Sequence, residues 1–254
     1  MKLLRLLLSL FFLSLIVGCA TTPQVAPDPS LLRIGVTPDM PPMIDKQGGE
    51  FVGVEADFAK ELAAALDRDP VFVDKEWEEL LPALEANQID IVMSGMSITP
   101  ARSFRVLFTY PYMTAGLTPI FRRNDYASSG MIPSVVRHQT STIGCVRNTT
   151  GAIYAQNAYL HAEVVPFSDW EQALKALYRG KVNMVVHDAP AVWWAASRYE
   201  EHFVAFPELL NREELAWAVA RSNSALHEEV NAVLEQWRES GKGGQILKQW
   251  FPNM

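Results

Sequence analysis

Cysteine is scarce in this 254-residue sequence: there are two, Cys19 and Cys145, and they form no C-x-x-C pair. The five histidines are scattered, without the spacing that metal sites use, so no metal is expected. G-x-S-x-G, H-E-x-x-H and G-x-x-x-x-G-K are all missing, which removes the nucleophile elbow, the zinc-protease helix and the phosphate loop. No catalytic residue is assigned, and no cofactor is expected. Basic clusters are missing too. With 22 Lys and Arg against 29 Asp and Glu, the net charge is -7, which excludes nucleic acid as a partner. Nor is there an apolar run of about 20 residues, the length a membrane-spanning helix needs.

What the chain does have begins at its first residues. Lys2 and Arg5 precede an apolar run over 6–17, broken only by Ser9 and Ser14. Its form is that of an export signal over residues 1–18. The run ends in Leu15-Ile16-Val17-Gly18-Cys19, which resembles a bacterial lipobox, where the cut falls before the cysteine and the cysteine carries lipid. Residues 20–30 (ATTPQVAPDPS) hold one charged residue and cannot bury enough apolar surface to fold, so 19–30 reads as a lipid-anchored linker. The acyl chains would anchor firmly, at about 0.8 kcal/mol per buried methylene. The expected location is extracytoplasmic, periplasmic or cell-surface, with membrane contact through the anchor only. Acylation of Cys19 leaves Cys145 without a disulfide partner. It lies in the apolar segment TIGCV and reads as a buried structural thiol.

From residue 31 onward, short β-type runs alternate with amphipathic helical patterns, which predicts an α/β fold with mainly parallel strands. Strands are predicted at 32–36, 71–73 and 89–93, with helices at 55–66 and 77–86. A second set places strands at 143–146, 163–165 and 183–187 and helices at 150–158 and from a Ser168-Asp169-Trp170-Glu171 capping box to 178. A helix-like stretch after 188, a strand over 215–220 and a long helix from Ser224 to the break at Gly241 complete the reading. Two such sets without a floppy linker indicate two lobes, with a ligand in the cleft between them.

Three segments are candidate cleft walls. Ser94-Gly95-Met96-Ser97 ends a strand with small residues, and Arg102 just beyond carries a planar donor fork that fits a carboxylate. A surface ion pair is the plainer reading of Arg102. Val146-Arg147-Asn148-Thr149-Thr150-Gly151-Ala152 runs from a strand through a hydroxyl-rich turn into a helix start, where free N–H groups can hold an anion or simply be capped. Asp188 ends an apolar strand, where ligands collect in open α/β sheets. It could pair with an ammonium, or it could cap the next helix.

Six segments in order then carry a family likeness: LRIGVTPDMPPM, GVEADFAKELA, WEELLPALEANQIDIVMSGMSITPARSFRVLFTYPY, VRNTTGAIYA, VNMVVHDAP and GGQILKQWF. Together they resemble the bacterial extracellular solute-binding proteins of family 3, the polar amino-acid receptors of ABC importers. The resemblance implies a type II periplasmic binding protein fold of two lobes, each a mixed, mainly parallel sheet flanked by helices, joined by a two-strand hinge. Lobe one would combine 31–114 with 218–254, lobe two would be 115–217, and the hinge would run near 112–118 and 215–219. It further implies that Arg102 grips the ligand α-carboxylate, helped by Gly95, Ser97 and Gly151, with Ser94 and Thr150 also at the ligand site. Asp188 would pair with the α-ammonium and Trp77 would stack on the ligand. Met40 stands where many relatives have a second aromatic, and Thr37 where many have an acid that reads a basic side chain. With Arg147 as an added cation, these departures lean the expectation toward a polar or acidic amino acid.

The function implied is capture of an amino acid by hinge closure and its delivery, by a monomeric receptor, to an ABC permease of the inner membrane. Two rivals share the scaffold. One is a cyclohexadienyl or arogenate dehydratase, in which Asp188 or Glu55 would supply the proton. The other is a ligand-sensing module, which a chain ending at Met254 without kinase or transglycosylase segments makes less expected.

Overall fold

A computed structural model describes residues 28–129 and 141–252. The expected export signal, Cys19 and most of the tether lie outside the described residues. Among those described, no helix is long and apolar enough to cross a membrane.

The chain opens with β1 (Leu31–Val36) and a small antiparallel meander of β2 (Asp39–Met40), β3 (Ile44–Gln47) and β4 (Glu50–Val52). It continues through α1 (Val54–Ala65), β5 (Asp69–Asp74), a 3₁₀ turn at Trp77–Glu79, α2 (Leu80–Glu85), β6 (Ile91–Val92), α3 (Pro100–Ser103) and β7 (Val106–Phe108). β8 (Met113–Ala115) leads out to β9 (Leu117–Arg122), α4 (Arg123–Ser129), β10 (Thr142–Val146), α5 (Thr150–Ala158), β11 (Glu163–Phe167), α6 (Trp170–Tyr178), β12 (Met184–Asp188), α7 (Ala189–Arg198) and β13 (Phe203–Ala205). β14 (Glu213–Leu215) leads back to β15 (Ala218–Ala220), α8 (Ser224–Ser240) and α9 (Lys242–Trp250).

Two five-stranded sheets result, ordered β5-β1-β6-β15-β7 and β11-β10-β12-β9-β13. In each, three parallel strands are followed by one that runs antiparallel to both its neighbours. The lobes therefore share a topology, although no repeat is visible in the sequence. Helices cover both sheets, so strands such as β12 are buried throughout and read as apolar runs. The last two helices return to the first lobe, where Trp250 donates to Asp57 at 2.8 Å and Arg68 pairs with Glu229 at 2.9 Å.

The lobes are joined by an antiparallel pair, β8 with β14, in which Met113 faces Leu215 and Ala115 faces Glu213. The strand predicted over 215–220 is thus two strands. The ladder changes partner at Ala216 and Trp217, from the hinge to the first sheet, while burial keeps the whole run apolar. The capping box predicted at Ser168 is shifted by one residue. Asp169 is the cap and accepts from Gln172 N at 2.7 Å, while Ser168 donates its hydroxyl to Asp169.

One glycine is demanded by geometry. Gly53 precedes α1 at φ 126, and a Cβ there would meet the Met43 carbonyl oxygen at 2.5 Å. The carbonyls of Pro42 and Met43 close on the first N–H groups of α1, from Val54 and Glu55, at 3.0 and 2.9 Å. Gly53→Ala is expected to cost about 3 kcal/mol, from left-handed strain plus the backbone clash. Urea unfolding checks this, and a loss below about 1 kcal/mol would contradict the assigned cause.

Candidate functional site

A cavity with about 530 Å3 of empty space, its open mouth included, lies between the lobes at the carboxyl ends of β1, β6, β10 and β12. From the first lobe, Ser94 and Gly95 line it from the loop after β6. Ser94 Oγ accepts from Thr37 N at 3.0 Å, which ties the β1 and β6 loops together. Gly95 has φ 66, and a Cβ there would sit 2.8 Å from Cε of Met40, the buried residue facing it.

Arg102 is held in place rather than spread on the surface. Thr99 caps α3 and accepts from Arg102 N at 3.3 Å. The guanidinium donates through Nη1 to Ser97 O at 2.9 Å and through Nη2 to Asn148 O at 3.3 Å, and it lies 5.2 Å from the centre of the Trp77 ring. Burial lowers its pKa, against the raising effect of Asp188 and Glu213. No carboxylate lies within ion-pair distance of Arg102 among the described residues, so the surface ion-pair reading is not realised.

From the second lobe come Thr149 and Thr150 at the start of α5, and Asp188 at the end of β12. Asp188 occupies the N-cap position of α7, yet its side chain makes no cap hydrogen bond. The capping alternative is therefore not realised, and Asp188 lines the cavity. Burial and the nearby Glu213 raise its pKa to about 7, against the lowering effect of Arg102. Beside it, the His187 ring lies tilted against Trp170 with ring centres 4.5 Å apart. Burial holds its pKa at about 3, so its Nδ1, 3.4 Å from Asp188 Oδ2, belongs to a neutral ring and not to an ion pair.

The cleft is closed. Besides the Arg102 bond to Asn148, Trp77 Nε1 donates to the same carbonyl at 3.1 Å. Trp170 N donates to Asp39 Oδ2 at 3.2 Å. Glu213 on hinge strand β14 accepts from Ser97 Oγ at 2.5 Å and Thr150 Oγ1 at 2.9 Å through one oxygen, and from Asn211 Nδ2 at 2.8 Å through the other.

Of the residues singled out in the sequence, Arg102, Asp188, Ser94, Gly95, Ser97, Trp77, Thr150 and Met40 meet in this cavity. Two do not. Arg147 turns away and lies 3.4 Å from Glu78, with half its side chain exposed. Gly151 is packed against the β12 backbone, where a Cβ would sit 2.8 Å from Val186 O. Sequence reasoning missed Asp39, Glu76, Asp169, Trp170 and His187 on the walls, and Glu213 beneath them. Asp39 is displaced to about 6, first by burial and further by the like charges of Asp169 and Glu76. Away from the cavity, Cys145 is buried and burial pushes its thiol up to about 11, as befits a packing residue.

A sequence profile of the bacterial extracellular solute-binding proteins, family 3, matches residues 32–253. The chain belongs to this family. Among similar curated proteins is the ABC transporter arginine-binding protein 1 of Escherichia coli (strain K12), 27% identical over 87% of this chain and 90% of that protein. Another is the histidine-binding periplasmic protein of Salmonella typhimurium, 25% identical over 99% of this chain and 97% of its own. Among solved structures, a mutant of ArgBP from T. maritima superposes with a TM-score of 0.80 at 29% identity, covering 88% of this chain and 96% of that one. An ancestral amino-acid-binding protein, described as a precursor of cyclohexadienyl dehydratase, also gives 0.80 at 28% identity, over 87% of this chain and 96% of that one. This solute-binding protein is accordingly extracytoplasmic and has the two-lobed α/β fold of its relatives.

Proposed function

We propose that this solute-binding protein captures a single amino acid between its lobes and delivers it to an ABC importer. The observation that carries the reading is the pair Arg102 and Asp188. They are opposite charges brought from different lobes to one small cavity, and they feel each other without forming an ion pair. A free amino acid presents the matching pair, a carboxylate for the guanidinium fork and an ammonium for the carboxylate. Only the closed form offers both, so binding energy drives hinge closure. Arginine- and histidine-binding relatives support the same class of ligand.

Besides Asp188 the cavity is lined by Asp39, Glu76 and Asp169, and Arg147 is paired elsewhere. A cationic or neutral polar side chain therefore fits better than an acidic one, which keeps the polar part of the lean taken from Thr37 and Arg147 and drops the acidic part. We also infer from Cys19 that the receptor is tethered by lipid and works as a monomer beside the inner-membrane permease.

A thermal-shift screen of residues 20–254 against the twenty amino acids and prephenate tests this. A ligand at a hundred times its dissociation constant adds about 2.7 kcal/mol to the native state. Shifts with cationic or neutral polar amino acids, and none with glutamate or aspartate, are expected. No shift with any amino acid would overturn the proposal. Turnover of prephenate would move the chain to the dehydratase reading, which the Asp188 carboxyl, titrating near neutrality, makes chemically reasonable.

A further inference from the structure

Glu55 lies in the first turn of α1 with no exposed surface, and it does not line the cavity where the dehydratase reading would need it as proton donor. Its partners come from three directions. Oε1 accepts from the backbone N–H of Gly95 at 2.6 Å and from the Tyr112 hydroxyl at 2.6 Å, and Oε2 accepts from Trp217 Nε1 at 2.9 Å. Gly95 belongs to the loop that lines the cavity. Tyr112 immediately precedes hinge strand β8, and Trp217 lies between hinge strand β14 and β15.

We infer that Glu55 is a positioning residue that fixes the ligand loop at Gly95 to both strands of the hinge. The inference rests on the amino-acid-binding reading above.

Only a carboxylate does this with one side chain. It is acceptor-only, and two oxygens with about four lone-pair sites take three donors at once. A glutamine of the same size would turn an NH2 group toward the Trp217 N–H or the other two donors, leaving a buried donor opposed by a donor. Among the described residues no cation pairs with Glu55; burial raises its pKa, and the three hydrogen bonds alone oppose that rise. Burying a carboxylate costs several kcal/mol, and a core built for stability alone would do better with an apolar side chain. The surroundings make the link stiff. The Tyr112 and Trp217 rings stack at 5.3 Å, and Phe58 packs on both at 5.4 and 5.5 Å. The hinge also meets the loop through its backbone, with Ala216 N donating to Met96 O at 3.0 Å and Ile98 N to Glu214 O at 2.9 Å. A displacement of either hinge strand on opening or closing is thus passed to the Gly95 peptide through one side chain.

The test compares Glu55→Gln with Val233→Ala, a core truncation on α8 remote from the cleft. L-arginine is the probe, and both variants are measured by calorimetry at a temperature well below their melting points. Glu55→Gln is expected to weaken L-arginine binding at least tenfold, while Val233→Ala stays within about twofold of the parent. Parent-like affinity in Glu55→Gln would overturn the inference, as would an equal loss in both variants. If the parent protein itself fails to bind L-arginine, amide hydrogen exchange without ligand decides. Faster exchange at Gly95 together with the backbone of Tyr112 and Trp217 in Glu55→Gln, and not in Val233→Ala, sustains the coupling. Unchanged exchange at Gly95 removes it, independently of what the cleft binds.

Discussion

Arg102→Ala is expected to weaken amino-acid binding by a thousandfold or more, which calorimetry at pH 7 would register as loss of measurable heat. Two charge-assisted hydrogen bonds to a carboxylate are worth about 1.5–3 kcal/mol each. A second effect adds to the first. Arg102 is the charge that opposes the rise in the Asp188 pKa, so its removal leaves only the residue's own backbone hydrogen bond against burial and Glu213. The ammonium clamp then loses charge as the carboxylate clamp disappears. The fold should survive, because Arg102 is only partly buried and its bonds go to two carbonyls, one of which keeps the Trp77 indole as donor. Arg102→Lys keeps the charge without the planar fork and should recover only part of the affinity. An Arg102→Ala protein that binds within tenfold of the parent, with its melting temperature unchanged, would remove Arg102 from the site.

The parts that sequence made legible are those whose signal is local. The helix predicted over 150–158 is found as α5, because a β-region Thr149 cap and an apolar face lie within nine residues of each other. The parallel strands β1, β10 and β12 announced themselves as short apolar runs because helices cover both faces of their sheets. The meander β2 to β4 was missed. Its strands are two to four residues long, mostly polar, and too short to show a period. Small residues and strand ends marked Arg102 and Asp188 as candidate cleft residues, while their roles came only from the family resemblance. Glu213 could not be found this way. It sits in a polar stretch, and it matters only because the hinge register brings it to Ser97 and Thr150, 116 and 63 residues away in sequence. Asp39 falls between these cases. Its place just after β1 was a readable hint, but its contact with Trp170, 131 residues on, was not.

Asp188→Asn carries the other large effect, and it pulls in two directions. The substitution removes the partner of the ligand ammonium, so affinity for a zwitterionic amino acid should fall at least a hundredfold. Closure of the cleft without ligand should become easier, because a buried charge has been replaced by a neutral amide. The pH dependence separates the two. In the closed cleft burial and Glu213 raise Asp188 from its ordinary 3.8 to about 7, and opening the cleft to water would remove the burial that causes most of this rise. A carboxyl whose pKa is raised on closing takes up a proton there. Closure is therefore unpenalised below the open-state value and grows costlier as pH rises toward about 7, above which the full penalty applies. A shift of this size corresponds to roughly 4 kcal/mol between the two protonation states. Asp39, raised to about 6, acts in the same direction within a narrower window. Interlobe distances from paired spin labels should thus show the ligand-free protein moving toward the closed form as pH falls from 8 to 5. In Asp188→Asn the closed fraction should be higher at pH 8 and should change far less over that range, with Asp39 supplying the residue of the effect. A parent protein whose ligand-free distances are flat from pH 8 to 5 would show that the Asp188 charge does not govern closure. An Asp188→Asn protein that binds amino acids normally would take it out of the ammonium clamp.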